Sequence, residues 1–279
     1  MRSYSMTPPM PTSTIATPPL PGRSQITLKI VTQRNANPKL TNRLLEIATT
    51  AFSDDQTFSW RYPTRHEYPA HHRHMFWRYL GNELLDPTVW VVVAYLEDNG
   101  VEVPVGYSTW QRRGPGTEEA VKGRDSLLQK SERNLFALHE RLNNFLFPNP
   151  SAYKPAIELM AQVFEETENL VKQMPQFENH LHLNILAVDP AYQRRGIGEA
   201  LVRWGVSKST KEGLPCALEA SRAGKKVYTK CGFEEIQICD GLHPTPEKPW
   251  QEGMHCREEG CQFGVGSFMI FEPPSLHLQ

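Results

Sequence analysis

The chain has no apolar run of the roughly 20 residues that a bilayer-spanning helix needs, so no membrane partner is expected. It also lacks an excess of charge of either sign. Thirty Lys and Arg stand against 31 Asp and Glu, a formal net charge of −1. No global field then draws it to nucleic acid or to an anionic surface. Cysteine is scarce and odd in number, five, all late in the chain. That is not a disulfide framework, and it points to a reducing, intracellular setting, the cytoplasm with the nucleus as the alternative. No repeat period is visible. A metal is not expected either. His66, His71, His72 and His74 crowd one segment, but Arg65, Arg73 and Arg78 would repel a cation, so they read as a solvated polar face. His255, Cys256 and Cys261 lack the second pair of a zinc clip.

Hydrophobic residues make up 39% of the chain, enough for one sizeable core. Residues 1–24 are rich in Pro, Ser and Thr and read as a disordered tail by composition, ahead of a folded domain over 25–272. Alternating Ile26, Leu28 and Ile30 predict a strand from Gln25 to Gln33. Pro38 opens a helix with Leu40, Leu44, Ile47, Ala48 and Ala51 at helical spacing. An aromatic, turn-rich stretch, Ala51 to Pro63, follows. Thr88 to Leu96 is a β-branched run that predicts a buried strand, and Asp98-Asn99-Gly100 turns it into a partner, Val101 to Gln111.

Residues 112–180 hold two amphipathic helices. One is marked by Leu128, Leu135, Leu138, Leu142 and Phe145. The other is marked by Ile157, Met160, Ala161, Phe164 and Val171, between Pro155 and Pro175. Further strands are predicted at Cys216–Ala220, Phe233–Ile238 and Val265–Phe271. A helix starts from Arg222, and a proline-rich loop spans Asp240–Gly264.

The most informative stretch is Leu181 to Gly205. Apolar residues on both faces predict a strand covered on two sides, stopped by Asp189-Pro190. Gln193-Arg194-Arg195-Gly196-Ile197-Gly198 follows. Ile197, Ala200, Leu201 and Trp204 then share one helix face. The first turn of a helix has unpaired N–H groups and a positive dipole end. Gly196 and Gly198 keep side chains out of the way, so a phosphate can approach the backbone. No Gly-Lys-Ser/Thr follows and the three-glycine dinucleotide spacing is absent, so neither familiar nucleotide loop applies.

These residues resemble the GNAT superfamily of acetyl-CoA-dependent N-acetyltransferases. Gln193, Gly196 and Gly198 match its Gln/Arg-x-x-Gly-x-Gly/Ala signature, after the lead-in Leu186-Ala187-Val188-Asp189-Pro190. Leu218-Glu219-Ala220-Ser221 and Tyr228-Thr229-Lys230-Cys231-Gly232-Phe233 resemble the family's next strand and its Tyr-x-x-x-Gly-Phe turn. The resemblance covers about 181–239. It implies an α+β fold with a mixed, mostly antiparallel sheet, splayed at the CoA site, with helices on both faces. The two helices of 112–180 would be an insertion covering one side of the acceptor cleft, with dimerisation or core packing as the other reading.

The resemblance also implies the site. Acetyl-CoA, as co-substrate, would lie along Leu186, Ala187 and Val188, with its phosphates on Gln193, Arg194, Arg195, Gly196, Ile197, Gly198, Glu199 and Ala200. Ser221 and Lys225 would contact it, or serve as a cap and a surface lysine. The Val188 N–H would meet the oxyanion. Tyr228 is the candidate general acid: a phenol near ~10 can protonate a thiolate near ~8.5 without itself ionising at pH 7. His182 is the candidate base, since an amine near ~10 must lose a proton and imidazole near ~6.5 can take it. Histone acetyltransferases of the superfamily carry a glutamate at the matching position. Arylalkylamine N-acetyltransferases read His-x-His there, against His182-Leu183-Asn184 here. A proton path would lean on water, Asn184 or Glu219. Phe52, Phe58 and Trp60 either wall the acceptor or pack under a loop. The acceptor expected is a small-molecule amine, with a protein amine or a non-catalytic CoA-binding module as rivals.

Overall fold

The computed structural model describes residues 15–16, 25–33, 35–98, 100–122, 125–238 and 267–274. One eight-stranded sheet organises them. Its strands are β1 (Ile15–Ala16), β2 (Ile26–Val31), β3 (Val89–Asp98), β4 (Val101–Arg113), β5 (His180–Val188), β6 (Cys216–Ala220), β7 (Glu234–Ile238) and β8 (Ser267–Phe271). Their order is β1-β2-β3-β4-β5-β6-β8-β7. Every pairing is antiparallel except β5 with β6. The expected tail is therefore not wholly without structure: β1 pairs Ile15 with Leu28 at the sheet edge. The loop expected over Asp240–Gly264, with His255, Cys256 and Cys261, lies outside the described residues.

Helices cover both faces. On one, α1 (Pro38–Ala51) and α3 (Pro69–Leu85) bury Leu44, Ile47, Phe76 and Leu80 against Val91 and Val93 of β3. On the other, α7 (Ile197–Glu212) and α8 (Lys225–Lys230) place Leu201, Val202 and Tyr228 against Val92, Trp110 and Leu218. Short α2 (Gln56–Arg61) is capped by Asp55, whose carboxylate accepts from the Thr57 and Phe58 N–H groups. After β4 come α4 (Thr117–Ala120), α5 (Leu127–Leu146) and α6 (Lys154–Lys172). Helix α6 forms a third core of Leu159, Met160 and Val163 with Trp60, Phe177 and Phe268.

The histidine-rich segment departs from the solvated face expected of it. His72 is buried edge-on to Phe76, and neither ring nitrogen has a partner among the described residues. Burial, with Arg65 beside it, pulls its pKa down to about 4, so it sits in the core as neutral imidazole. Among the described residues no helix is long and apolar enough to cross a membrane.

Helix α7 rests flat on Trp110 at Gly205. A Cβ added there would lie 2.1 Å from the indole. Gly205→Ala is expected to destabilise the fold by about 1–3 kcal/mol, the usual cost of forcing an atom into a packed core. Urea unfolding followed by tryptophan fluorescence checks this.

Candidate active site

Two strands part at the centre of the sheet. β5 and β6 pair in parallel only from Leu181 with Cys216 to Leu183 with Leu218. β5 then runs on to Val188 with no strand partner on that side among the described residues. The cause is local. Thr109 pairs with Ile185 and Trp110 with Leu183, so Asn184 is an extra residue in β5, a bulge. The bulge switches which N–H groups face the gap. The Leu181 N–H points toward β6, donating to the Pro215 carbonyl, whereas the Asp189 N–H points to β4, donating to Val105. Alternation along the strand then turns the Val188 N–H to the open side.

At the mouth of the gap stands the start of α7. Its N-cap, Gly196, has φ 87°, the left-handed region that favours glycine, and no side chain caps the helix there. Arg194 is also left-handed, with φ 63°. Gln193, Arg194 and Arg195 are exposed. The Gln193 amide donates to the Val188 carbonyl at 3.1 Å, and Arg195 covers Tyr192. Glu199, in the first turn, is engaged by Arg203. A Cβ at Gly198 would lie 3.8 Å from Val188 and 4.0 Å from Leu186. Protein packing alone would accept a side chain there, so the bare backbone leaves a cradle open above Leu186 and Val188. That cradle, the uncapped terminus and two arginines fit a pyrophosphate. Lys225 is ion-paired to Glu235 at 2.5 Å, and the Ser221 hydroxyl accepts from the Gly224 N–H at 3.3 Å.

On the far side of Asn184 lies a cavity of about 980 Å³. Phe58, Tyr79, Phe164 and Phe177 supply its apolar wall, and Glu83, Arg113, His182, Asn184 and Glu219 its polar end. Of the three aromatic residues expected beside the acceptor, only Phe58 lines it, with Arg61 stacked 4.5 Å over its ring. Trp60 is corrected to a core residue, buried under α6, and Phe52 stacks on Phe76 at 5.6 Å. The reason is the helical turn of α2, which points Phe58 and Trp60 in different directions.

His182 and Glu219 meet across the end of the β5–β6 pairing. His182 Nε2 lies 2.9 Å from Glu219, whose other oxygen accepts from the Thr167 hydroxyl of α6 at 3.0 Å. Burial alone would raise Glu219, but His182, Thr167 and Arg113 outweigh it and hold the carboxyl at about 2. His182 Nδ1 is buried, with no partner among the described residues. A second histidine does share the wall. His180, two residues earlier, has its ring 6.0 Å from that of His182 and donates from Nδ1 to the Phe177 carbonyl. Burial and the neighbouring His182 bring His180 down to about 4. Its signal in the sequence was the i, i+2 spacing of a strand face.

Glu83 went unrecognised in the sequence. It sits on α3, accepts from the Thr109 hydroxyl at 2.7 Å and from the Asn184 amide at 3.4 Å, and its Oε2 has no partner among the described residues. Burial pushes it up to about 7, with Asp86 adding to the rise and the two hydrogen bonds opposing it. Tyr228 is buried in α8 against Phe233. Its pKa is raised, first by burial and then by the charge of Asp55.

Comparison with known proteins agrees with this geometry. A family model for an acetyltransferase (GNAT) domain matches residues 161–235. An acetyltransferase of Stachybotrys chartarum is 24% identical over 198 residues, 70% of this chain and 76% of its own. An uncharacterised N-acetyltransferase of Schizosaccharomyces pombe is 24% identical over 208 residues, 71% of this chain and 79% of its own. A probable acyltransferase of Ajellomyces capsulatus is 43% identical over 54 residues, 19% of this chain and 40% of its own. The matched span starts in α6 and runs through the parted strands and the glycine loop to β7, so this part of the chain is similar to the acetyltransferase (GNAT) domain.

Proposed function

We propose that the protein transfers the acetyl group of acetyl-CoA to the amine of a small molecule. The observation that carries this is the cavity beside Asn184, where a carboxylate near neutral pKa and a buried His–Glu pair meet next to the parted strands. Glu83, whose Oε2 has no partner among the described residues, and Glu168, Glu178 and Glu219 around the same cavity offer carboxylates to a ligand arriving as an ammonium ion. Aromatic walls and a covering helix, α6, suit a compact acceptor better than an extended peptide.

In this reading acetyl-CoA supplies the thioester, held by the α7 N-terminus and the open edge of β5. Glu83 accepts the acceptor's ammonium proton at Oε2, leaving the neutral nitrogen as nucleophile. His182 and Glu219 hold the polar end of the cavity, and Asn184 fixes Glu83. The Val188 N–H donates to the oxyanion that develops as the new C–N bond forms. The Tyr228 hydroxyl protonates the departing sulfur, and its raised pKa keeps that proton available at neutral pH. Glu83 Oε2 and His182 Nδ1 are alike buried with no partner among the described residues, and His182 Nε2 is taken by Glu219; what favours Glu83 is its carboxyl pushed up to about 7.

Thiol release from acetyl-CoA, measured with a panel of small amines and peptides against a no-amine blank, tests the assignment. Stimulation by one class of small amine is expected. Stimulation by peptides alone would move the assignment to a protein acceptor. Tyr228→Phe is expected to lower kcat by about 10- to 100-fold with acetyl-CoA affinity kept. Equal turnover would remove the tyrosine from the chemistry.

A further inference from the structure

The twenty-residue helix α5 carries an apolar stripe that nothing described covers. Leu128, Leu135, Leu138, Leu142 and Phe145 are each more than half exposed, and Leu127, Leu146 and Phe147 extend the patch. Soluble monomers seldom leave so much contiguous apolar surface in water. The spacing is specific. Leu128, Leu135 and Leu142 recur every seven residues, Leu138 and Phe145 follow at the intervening three, and Ser131 fills the remaining place. That is the 3.5-residue period of a two-helix seam, narrower than the stripe of a helix laid on a core.

The stripe is not how α5 is attached to its own domain. Phe136 packs on Trp77 and closes over Gly81. The buried Glu140 and Asn143 bond His74, and Arg133 reaches the Leu85 carbonyl. These residues form a different face, directed at α3, and leave the seam outward.

We infer that α5 pairs antiparallel with α5 of a second copy of this chain. Pairing about the point between Leu135 and Leu138 sets Leu128 opposite the partner's Phe145, Ser131 opposite Leu142, and Leu135 opposite Leu138. Along the flanks Glu132 then meets the partner's His139, and Arg141 the partner's Asn134, with no like charges opposed. A parallel pairing would instead set Glu132 against Leu127 and Arg141 against Leu146. At roughly 100 Å² exposed on each, the five seam side chains with flanking Leu127 and Leu146 supply on the order of 700 Å² per copy, close to a standard interface.

Sedimentation velocity on the full chain tests the pairing. A monomer–dimer equilibrium in the micromolar range is expected. Leu135→Glu combined with Leu138→Glu should weaken it at least 100-fold, with circular dichroism unchanged because both side chains are exposed. Glu132→Arg should weaken the dimer, and adding His139→Glu should restore it. A wild-type chain that stays monomeric throughout, a dimer that survives the double leucine variant, or a charge swap without rescue overturns the inference.

Discussion

Glu83→Gln is expected to lower kcat by at least 100-fold, the usual contribution of a positioned general base. The pH profile should change with it. The wild-type carboxyl, held up at about 7 by burial, must be ionised to take a proton. Its kcat/KM should therefore fall about tenfold from pH 8 to pH 6, and that limb should vanish in the variant. Stability separates this from misfolding. A carboxyl whose folded pKa lies above its unfolded value costs the fold nothing below about 4.5, and its cost grows as pH rises to about 7. Glutamine keeps the shape without the buried charge, so the variant should melt no lower than wild type at pH 8. His182→Ala serves as the contrast. If it, rather than Glu83→Gln, abolishes the limb near pH 7, the base has been misassigned.

The second large effect is expected at the glycine cradle. Gly198→Asp should weaken acetyl-CoA binding at least 100-fold while leaving thermal stability equal or slightly higher. The position tolerates a side chain: its backbone is not left-handed, and a Cβ would make ordinary contacts with Leu186 and Val188. An acidic group in the first turn of α7 would also favour the helix dipole by about 0.3–1 kcal/mol. Yet the same carboxylate would occupy and repel the place proposed for a pyrophosphate. Calorimetric titration with CoA beside a thermal melt reads both quantities. Unchanged CoA affinity would remove the cradle from the donor site. A fall in both affinity and melting temperature would mean that Gly198 serves packing.

The expected elements between Gln25 and Ala220 recur in the structure with boundaries a few residues different. Local pattern was enough for them. β3 follows from a β-branched run, α1 from Pro38 and its apolar spacing, and the glycine loop from two glycines ahead of an amphipathic helix. Local pattern made the loop Gln193 to Gly198 legible, and the resemblance supplied His182, Asn184 and Glu219, which line the cavity. Glu83 was not legible, because a single carboxylate on a mixed helix has no pattern. Only the fold of α3 against β4 brings it to Thr109 and Asn184, and only burial there raises its pKa. Trp60 and Phe58 looked alike in the chain, and the turn of α2 sent one to the core and one to the cavity.

The seam on α5 shows both halves of the matter. Its seven-residue recurrence is written in the chain, because side-chain direction repeats with the helix. Whether that stripe faces a core or water is not, since it depends on which other face α3 has already taken. By itself the sequence determined the helices, the strands and the glycine turn ahead of α7, which arise from interactions a few residues long. The tertiary structure decided the parting of β5 from β6, the neutral pKa of Glu83 and the pairing of His182 with Glu219. The parting follows from the bulge formed when β5 pairs with β4, and the other two from groups distant in the chain that share one poorly solvated space.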